Sequence, residues 1–477
     1  MDKLNIEKEI EYIDRVNNLI KDKEYKYYIF TFGCQQNVSD SEKIAGMLEE
    51  MGYTKCDKPN FADIIVFNTC CVRENAEERL FGKIGEFKKQ KEEKGTILAI
   101  GGCMMQEKDI PSKIKKSYPQ VDIIFGTHTL QNLAKDIYSI IINKRRIEDI
   151  EYIDGEIIED LPIKRSDNIK GSISIMYGCN NFCTYCIVPY VRGRERSRNP
   201  KDIVEETQKL ANSGFKEIML LGQNVNSYLR SEREKNKELN YIVKINEKEI
   251  NVNSFATLLI ALNEIKGIEK IRFISPHPKD FTDDVIEAIK NCNKVSKLIH
   301  LPLQSGSTKI LKAMNRNYTK EQYLELVDKI KNKIENVTFS TDIIVGFPGE
   351  SEEDFEDTLD VINKVGYDQV FMFIYSIRRG TPAEKMKDQI PEELKHERFN
   401  KLKDLADSKV EEINNKYIDT IQTILVEGYS KTDKSYLTGR TDSNKVVIFK
   451  GEKDLIGNFI DIRITKNHIW YLEGEKI

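Results

Sequence analysis

The sequence has no apolar run near the roughly 20 residues that carry a helix across a bilayer. It also has no hydrophobic stretch of the signal-peptide kind near its start. These absences predict a cytoplasmic chain with no membrane partner. A basic surplus is missing too, since the formal net charge is −4. Proteins that hold nucleic acid through a general positive field carry such a surplus, so any phosphate-binding footprint here must be local. Histidine is scarce, with five in 477 residues. Nine cysteines in a chain with no secretory signal are better suited to metal or catalytic work than to disulfides. What remains is a charge-rich globular composition, 39% hydrophobic and 32% charged, long enough for two to four domains.

The densest chemistry lies between Tyr177 and Arg198, where Cys179, Cys183 and Cys186 are spaced C-x3-C-x2-C. One short loop can wrap these three thiolates around a single iron–sulfur cluster. An electron-transfer cluster normally takes four cysteines, and no fourth is near. Three leave one iron open to a substrate or cofactor. Zinc would want a tetrahedral fourth ligand, and no His or Cys follows within reach. The pattern, with Tyr185 directly before the last cysteine, resembles the radical S-adenosylmethionine (SAM) signature. Arg192, Arg194, Arg196, Arg198 and Lys201 follow at once, opposed by Glu195. A basic run of this kind is either a solvated face or, beside a reaction centre, a contact for phosphates.

Taken in order, residues 1–24 read as an amphipathic helical extension with Ile6, Ile10, Ile13 and Ile20 at helical spacing. Residues 25–144 alternate strands, at 27–31, 63–68, 96–100 and 121–125, with helices. That order predicts a flavodoxin-like domain with a parallel sheet covered on both faces. Ser39 and Glu42 suggest a capping box for its first helix. Cys34, Cys70 and Cys103 fall just after three successive strands. In such sheets the ligand crevice lies outside the strands' carboxyl ends, so three distant thiols should converge there on a second metal cluster. Cys71 adjoins Cys70, and neighbouring side chains at a strand end diverge, so only one of the pair should reach. Cys56 and Cys292 read as buried core thiols.

Residues 145–164 read as an acidic linker containing Pro162. Over 165–408 come six β/α units, with strands at 172–176, 217–221, 271–274, 298–303, 338–345 and 370–375. Six units are too few for a closed eight-stranded barrel and predict an open (β/α)6 barrel. Its active loops gather at the carboxyl ends of the strands, which places the Cys179 loop at the mouth. If this mouth faced the cysteine rim of the first sheet, both clusters would border one cavity. Thr319 and Gln322 form a second capping-box pattern, and the charged stretch 230–249 reads as a surface insertion or flexible loop. After a helical segment at 391–416, residues 411–475 turn to short strands broken by Gly428, Gly439, Gly451 and Gly457. They predict a small all-β, OB-like barrel, either a lid or an RNA-binding module. Its removal should leave the central barrel's chemistry intact.

Together these motifs resemble the methylthiotransferase family of radical SAM enzymes, from about residue 25 to the end. The likeness rests on Gly33-Cys34-Gln35-Gln36-Asn37, Asn68-Thr69-Cys70, Gly102-Cys103 and Gly178 to Cys186. It continues through Leu221 to Asn226, His300 to Ser307, Asp342 to Glu350, and Gly380-Thr381-Pro382. The resemblance implies a 4Fe–4S cluster on Cys179, Cys183 and Cys186 that reduces SAM, and an auxiliary 4Fe–4S cluster on Cys34, Cys70 and Cys103. It selects Cys70 over Cys71. It also implies SAM contacts from Tyr185, Gly222, Gln223, Asn224, Gln304, Gly346 and Glu350, and RNA contacts from Arg192, Arg194, Arg196 and Arg198. The all-β module becomes a TRAM domain. The implied reaction places a methylthio group on carbon 2 of an isopentenylated adenosine beside the tRNA anticodon. Implied partners are tRNA, a flavodoxin or ferredoxin as electron donor, and an iron–sulfur or sulfur carrier, with the enzyme a monomer. Rival substrates within the family are threonylcarbamoyl-adenosine and a ribosomal-protein aspartate. Outside it the rivals are a two-cluster electron carrier and a zinc-using RNA-binding protein.

Overall fold

A computed structural model describes residues 3–71, 76–151, 157 and 159–477. The amino-terminal sheet has six parallel strands. In spatial order they are Tyr53–Lys55, Tyr25–Thr31, Ile64–Thr69, Ile97–Gly102, Ile123–Phe125 and Ile147–Asp149. This is the flavodoxin order with one strand added at the far edge. The central strand Ile64–Thr69 is buried along its whole length, as its unbroken apolar run requires when helices cover both faces. One face packs through Ile44, Met47, Leu48 and Val66, the other through Ile65, Phe67, Ile84 and Ile100.

Several expectations change here. The opening helix, Lys3–Ile20, buries Ile13, Val16 and Ile20 against the helix Leu133–Asn143. Ile10 is 48% exposed, and Glu9 takes the inward position instead. The buried stripe therefore runs 9, 13, 16, 20, the three-to-four spacing of a helix face. Ile6 lies outside the described side chains. The expected capping box at Ser39 and Glu42 is absent, because the helix Gln35–Glu50 starts five residues earlier, with Cys34 in place of Ser39 at its N-cap. Glu42 instead accepts from Arg165 and Ser166, and Ser39 Oγ meets Ser174 Oγ. The segment expected as a linker begins with the sheet strand Ile147–Asp149, while its residues 152–156 and 158 lie outside the described residues.

The second body is built from two parallel three-stranded halves. Lys170–Ser174, Glu217–Leu221 and Lys270–Phe273 form one, and Leu298–His300, Thr338–Val345 and Gln369–Ile374 the other. A parallel bridge between Ile271 and Val295 joins them. The first and last strands do not pair with each other, so the barrel is open. The Thr319–Gln322 capping box is present with both of its bonds. The charged stretch after Arg230 is not a loose loop. It forms the helix Arg230–Lys235 and an antiparallel hairpin, Tyr241–Ile245 with Lys248–Val252. Asn246 and Glu247 turn it with φ of 49° and 68°, the two positive values of a type I′ turn. Val243, Ile245 and Val252 pack into the barrel core, so an alternation of period two lay beneath the charges.

The carboxyl-terminal strands Ile421–Tyr429, Tyr436–Arg440, Val446–Lys450, Phe459–Asn467 and Leu472–Lys476 close a small barrel. This module does not stand apart from the rest. Arg272, inside the large barrel and 3.3 Å from Glu217, donates to the carbonyls of Thr441 and Asp442 at 2.9 and 3.0 Å. Lys270 pairs with Asp442 at 3.3 Å, and Lys445 with Asp368 at 2.8 Å. Its loop thus plugs the amino end of the open barrel, a packing contact that the expected independence of the barrel's chemistry from this module did not include. Among the described residues no helix is long and apolar enough to cross a membrane.

Candidate functional site

Each cysteine of the first triad stands at the carboxyl end of a parallel strand, Cys70 and Cys103 directly after theirs and Cys34 three residues after Thr31. Cys34 caps the helix Gln35–Glu50 with extended backbone, Cys70 follows Ile64–Thr69, and Cys103 opens the short turn Cys103–Gln106 after Ile97–Gly102. Two asparagines tie the first two turns together. Asn37 Nδ2 donates to Thr69 O at 2.8 Å, and Asn68 Nδ2 donates to Asn37 O at 2.8 Å. A side chain at Gly33, where φ is +126°, would place its Cβ 2.6 Å from the Cβ of Cys70, so only glycine lets these turns close. Gln36 Nε2 reaches across to Ser174 Oγ of the barrel at 2.9 Å.

Both members of the Cys70–Cys71 pair face this crevice, contrary to the expectation that one would turn away. Cys70 lies against the Gly33–Cys34 turn, and Cys71 donates a hydrogen bond to Cys103. That bond brings the Cys103 thiol down to about 6 against the opposing pull of burial, and the Arg192 guanidinium adds to it.

Arg192 supplies the main correction at the site. It is buried, donating from Nε to Cys103 Sγ at 3.1 Å and from Nη2 to Asp40 Oδ2 at 2.7 Å. Arg198 is buried as well, held by Glu159, by Glu206 at 2.7 Å and by the carbonyl of Ser174. Neither can reach a phosphate, because a guanidinium is taken out of water only with its partners in place. Arg194 is exposed and lies over the Phe182 ring at 4.3 Å, and Arg196 is half-buried. The basic run from Arg192 to Arg198 is therefore buried at both ends and open only in its middle, at Arg194 and in part at Arg196.

The second triad sits on a loop that the segment 313–316 cradles. Thr184 donates to Met314 O and to Ala313 O, and Asn315 Nδ2 donates to the carbonyls of Asn181 and Phe182. Gly178 allows the loop to begin, since a Cβ there would stand 2.1 Å from Arg194 O. Arg316, buried, donates toward Cys183 Sγ at 3.6 Å and to Pro302 O at 2.8 Å. Each triad thus has one buried guanidinium aimed at one of its sulfurs. Arg316 is 133 residues from Cys183, and Asp40 is 152 from Arg192, so no local pattern could have revealed either contact.

Among the described residues no three His, Cys, Asp or Glu side chains are already drawn together as a metal site. Burial pushes the thiols of Cys179 and Cys186 up to about 12. Thiols in that state gather only when a metal displaces their protons. The donor set still suits iron–sulfur clusters: three thiols on one loop, three at one sheet edge, and buried N–H donors toward sulfur.

The mouth of the barrel also carries polar atoms suited to a cofactor. Gln223 Oε1, Asn224 Oδ1 and His277 Nε2 are buried without a hydrogen-bond partner. Burial pushes the His277 imidazole well below its usual range, and because its Nδ1 accepts from Lys279 N the neutral ring carries its proton on Nε2, a free donor. Such orphans are rare in a finished core and fit the amino-acid and ribose groups of SAM. Gly222 ends the strand Glu217–Leu221, where a Cβ would meet Met176 at 2.7 Å. Tyr185 packs with Phe347 and Tyr375. Gln304 bridges to the strand Thr338–Val345, with φ of 72°. Glu350 is committed elsewhere. It accepts from Gly346 N at 2.8 Å and pairs with Arg398 at 2.9 Å, so it braces the loop against the helix Glu392–Asn415.

The two rims meet. Cys71 and Cys103 share one apolar knot with Ile187 and Val191, and Ile187 directly follows Cys186.

Three stretches match known families: residues 173–362 the Radical SAM superfamily, 26–126 the Uncharacterized protein family UPF0004, and 415–477 the TRAM domain. The tRNA-2-methylthio-N(6)-dimethylallyladenosine synthase of Acetivibrio thermocellus is 49% identical, over 97% of this chain and 94% of its own. Proteins of the same name from Clostridium beijerinckii and Clostridium tetani are each 50% identical. They cover 98% and 97% of this chain and 99% of their own. The radical S-adenosylmethionine methyltransferase TsrM from Kitasatospora setae, solved with cobalamin and a 4Fe–4S cluster, superposes with a TM-score of 0.51. It is 14% identical over 76% of this chain and 77% of its own, a likeness of fold alone.

Proposed function

The chain belongs to the tRNA-2-methylthio-N(6)-dimethylallyladenosine synthases, a family of radical SAM methylthiotransferases, and on that premise we propose the following reaction. It inserts a methylthio group at carbon 2 of an isopentenylated adenosine beside the tRNA anticodon, using two SAM molecules and two 4Fe–4S clusters. The observation that carries the reading is the knot joining Cys103 to Ile187. It sets one cysteine of the first triad against the residue that directly follows the last cysteine of the second.

Cys179, Cys183 and Cys186 would hold the SAM-binding cluster, and Cys34, Cys70 and Cys103 the auxiliary one. Cys70 is favoured over Cys71 by its place in Asn68-Thr69-Cys70 and against the Gly33–Cys34 turn. When bound, these groups supply one-electron cleavage of SAM and the sulfur to be inserted, chemistry outside the range of any side chain. The residues of the chain do the rest. Arg192 and Arg316 orient one sulfur in each triad, and Arg192 helps bring the Cys103 thiol down. Gln223, Asn224 and His277 offer SAM its polar contacts, and the apolar knot keeps water from the junction. Arg194 and Arg196 remain as candidates for tRNA phosphates, with the TRAM barrel. A monomer in the cytoplasm, reduced by a flavodoxin or ferredoxin and resupplied by an iron–sulfur or sulfur carrier, completes the reading.

The test offers reconstituted enzyme, SAM and reductant to three tRNAs: isopentenylated, threonylcarbamoylated and unmodified. Methylthio product is expected from the isopentenylated tRNA. Product from the threonylcarbamoylated tRNA alone would reassign the substrate.

A further inference from the structure

The last strand of the open barrel, Gln369–Ile374, has an inner face unlike the rest of the molecule. Val370 packs outward into the main core with Phe339, Ile343 and Val345, and Met372 and Ile374 lie against it. Residues one step along a strand point the opposite way, so Phe371 and Phe373 face the lumen. The parallel register confirms this by setting Phe371 beside Asp342 and Phe373 beside Ile344. Phe371 is 40% and Phe373 50% exposed, and Phe61 is the one other exposed phenylalanine among the described residues. Inward residues of a closed β/α barrel fill its core. These two are left open because the last strand has no partner beyond it.

They are not alone. The His300 ring meets Phe371 edge to face, with centroids 5.8 Å apart. Its Nε2 lies 3.4 Å from Asp342 Oδ2, and its Nδ1 lies 3.0 Å from Ser340 Oγ. Above Phe373, Ile344 belongs to the cluster that includes Tyr185, the residue preceding Cys186. The lumen thus offers two exposed aromatic faces with a held carboxylate–imidazole pair at one edge. All of it opens toward the cysteine loop.

We infer that Phe371 and Phe373 are the wall on which the prenylated adenine is seated, with Asp342, held by His300, reading its one exocyclic N–H. The inference rests on the tRNA-modifying reading above and names the residues that give it selectivity. A base removed from its stack is commonly received on an aromatic face. A five-carbon prenyl chain adds apolar surface that gains by leaving water. An N6-substituted adenine keeps a single N–H donor there, which suits one carboxylate acceptor. The ligand is mostly apolar with one N–H donor, and this wall offers two aromatic faces and one carboxylate acceptor.

The test is equilibrium binding of two anticodon stem-loop RNAs, with and without the isopentenyl group, to the full cluster-loaded enzyme. SAM affinity is measured alongside. Wild type should prefer the prenylated RNA. Phe371→Ala and Phe373→Ala should each cut that preference about tenfold, equivalent to about 1.4 kcal/mol, with the unmodified RNA and SAM bound as before. Should an alanine variant lose iron, Phe371→Leu or Phe373→Leu takes its place and should cut the preference about threefold. A preference that survives all substitutions overturns the inference, and so does a loss of SAM affinity in place of RNA selectivity. If wild type itself shows no preference, the prenyl-specific function fails with it. Failure confined to the variants marks only the wall.

Discussion

At the scale of single residues, the site turns on which sulfur and which nitrogen are inside. Cys70 and Cys71 are adjacent, and both reach the crevice, one at the Gly33–Cys34 turn and the other at Cys103. The protein loaded anaerobically with iron should bind about eight irons, four per cluster. Cys70→Ser should lose about half of them and all methylthiolation. Cys71→Ser should keep its iron, measured by chelation after acid release. The opposite pattern would transfer the ligand role to Cys71. Sequence spacing located every cysteine here but could not rank these two, since rank depends on which thiol the turns aim at the shared cavity. The arginines show the same limit. Four alternate residues look equivalent on paper, yet Arg192 and Arg198 are buried on carboxylates and a sulfur while Arg194 is exposed. Their partners come from distant segments.

At the scale of elements, the opening helix has a pH dependence built into its docking. Burial pushes the Glu9 carboxyl up to about 7, opposed by Lys135 and aided by Asp149. On the facing helix burial likewise pushes Asp136 up to about 7, aided by Asp149 and Glu9 and opposed by Lys135. In the folded state both hold protons that the unfolded chain, with ordinary values of 4.5 and 3.8, releases earlier. Docking is therefore fully supported below about pH 4 and weakens as pH rises through about 7. Hydrogen exchange over Lys3–Ile20, corrected for intrinsic rates, should show less protection at pH 8 than at pH 6. Glu9→Gln with Asp136→Asn should remove the difference, and unchanged pH dependence in that double variant would refute the account.

At the scale of the whole molecule, the three bodies are not independent. The TRAM loop reaches the amino end of the barrel, where Thr441 and Asp442 satisfy the buried Arg272. Removing one side of such a buried polar set typically costs about 3 kcal/mol or more. Truncation after Lys416 should lower the thermal midpoint of the remaining chain and reduce SAM cleavage as well as tRNA binding. Asp442→Ala, which removes the Lys270 pair and keeps both backbone carbonyls, should cost less. A truncated chain that cleaves SAM at the full rate with an unchanged midpoint would show the plug to be incidental.

The sequence by itself determined the order of elements, the flavodoxin-like and open-barrel folds, the terminal β-module, and the two cysteine triads at their rims. Each is written locally, in apolar periodicity or in spacing within one loop, and strand ends dictate where loops gather. It missed the short edge strands Tyr53–Lys55 and Ile147–Asp149, and the hairpin after Tyr241, where few apolar residues stand among charges. Only the tertiary structure decided that Arg192 serves Cys103, that Arg316 faces Cys183, that the TRAM loop closes the barrel, and that Phe371 and Phe373 stay open in the lumen. Those contacts join segments up to 170 residues apart. The energy of a buried charge or an exposed ring depends on what the fold brings beside it, and no window of sequence contains both partners.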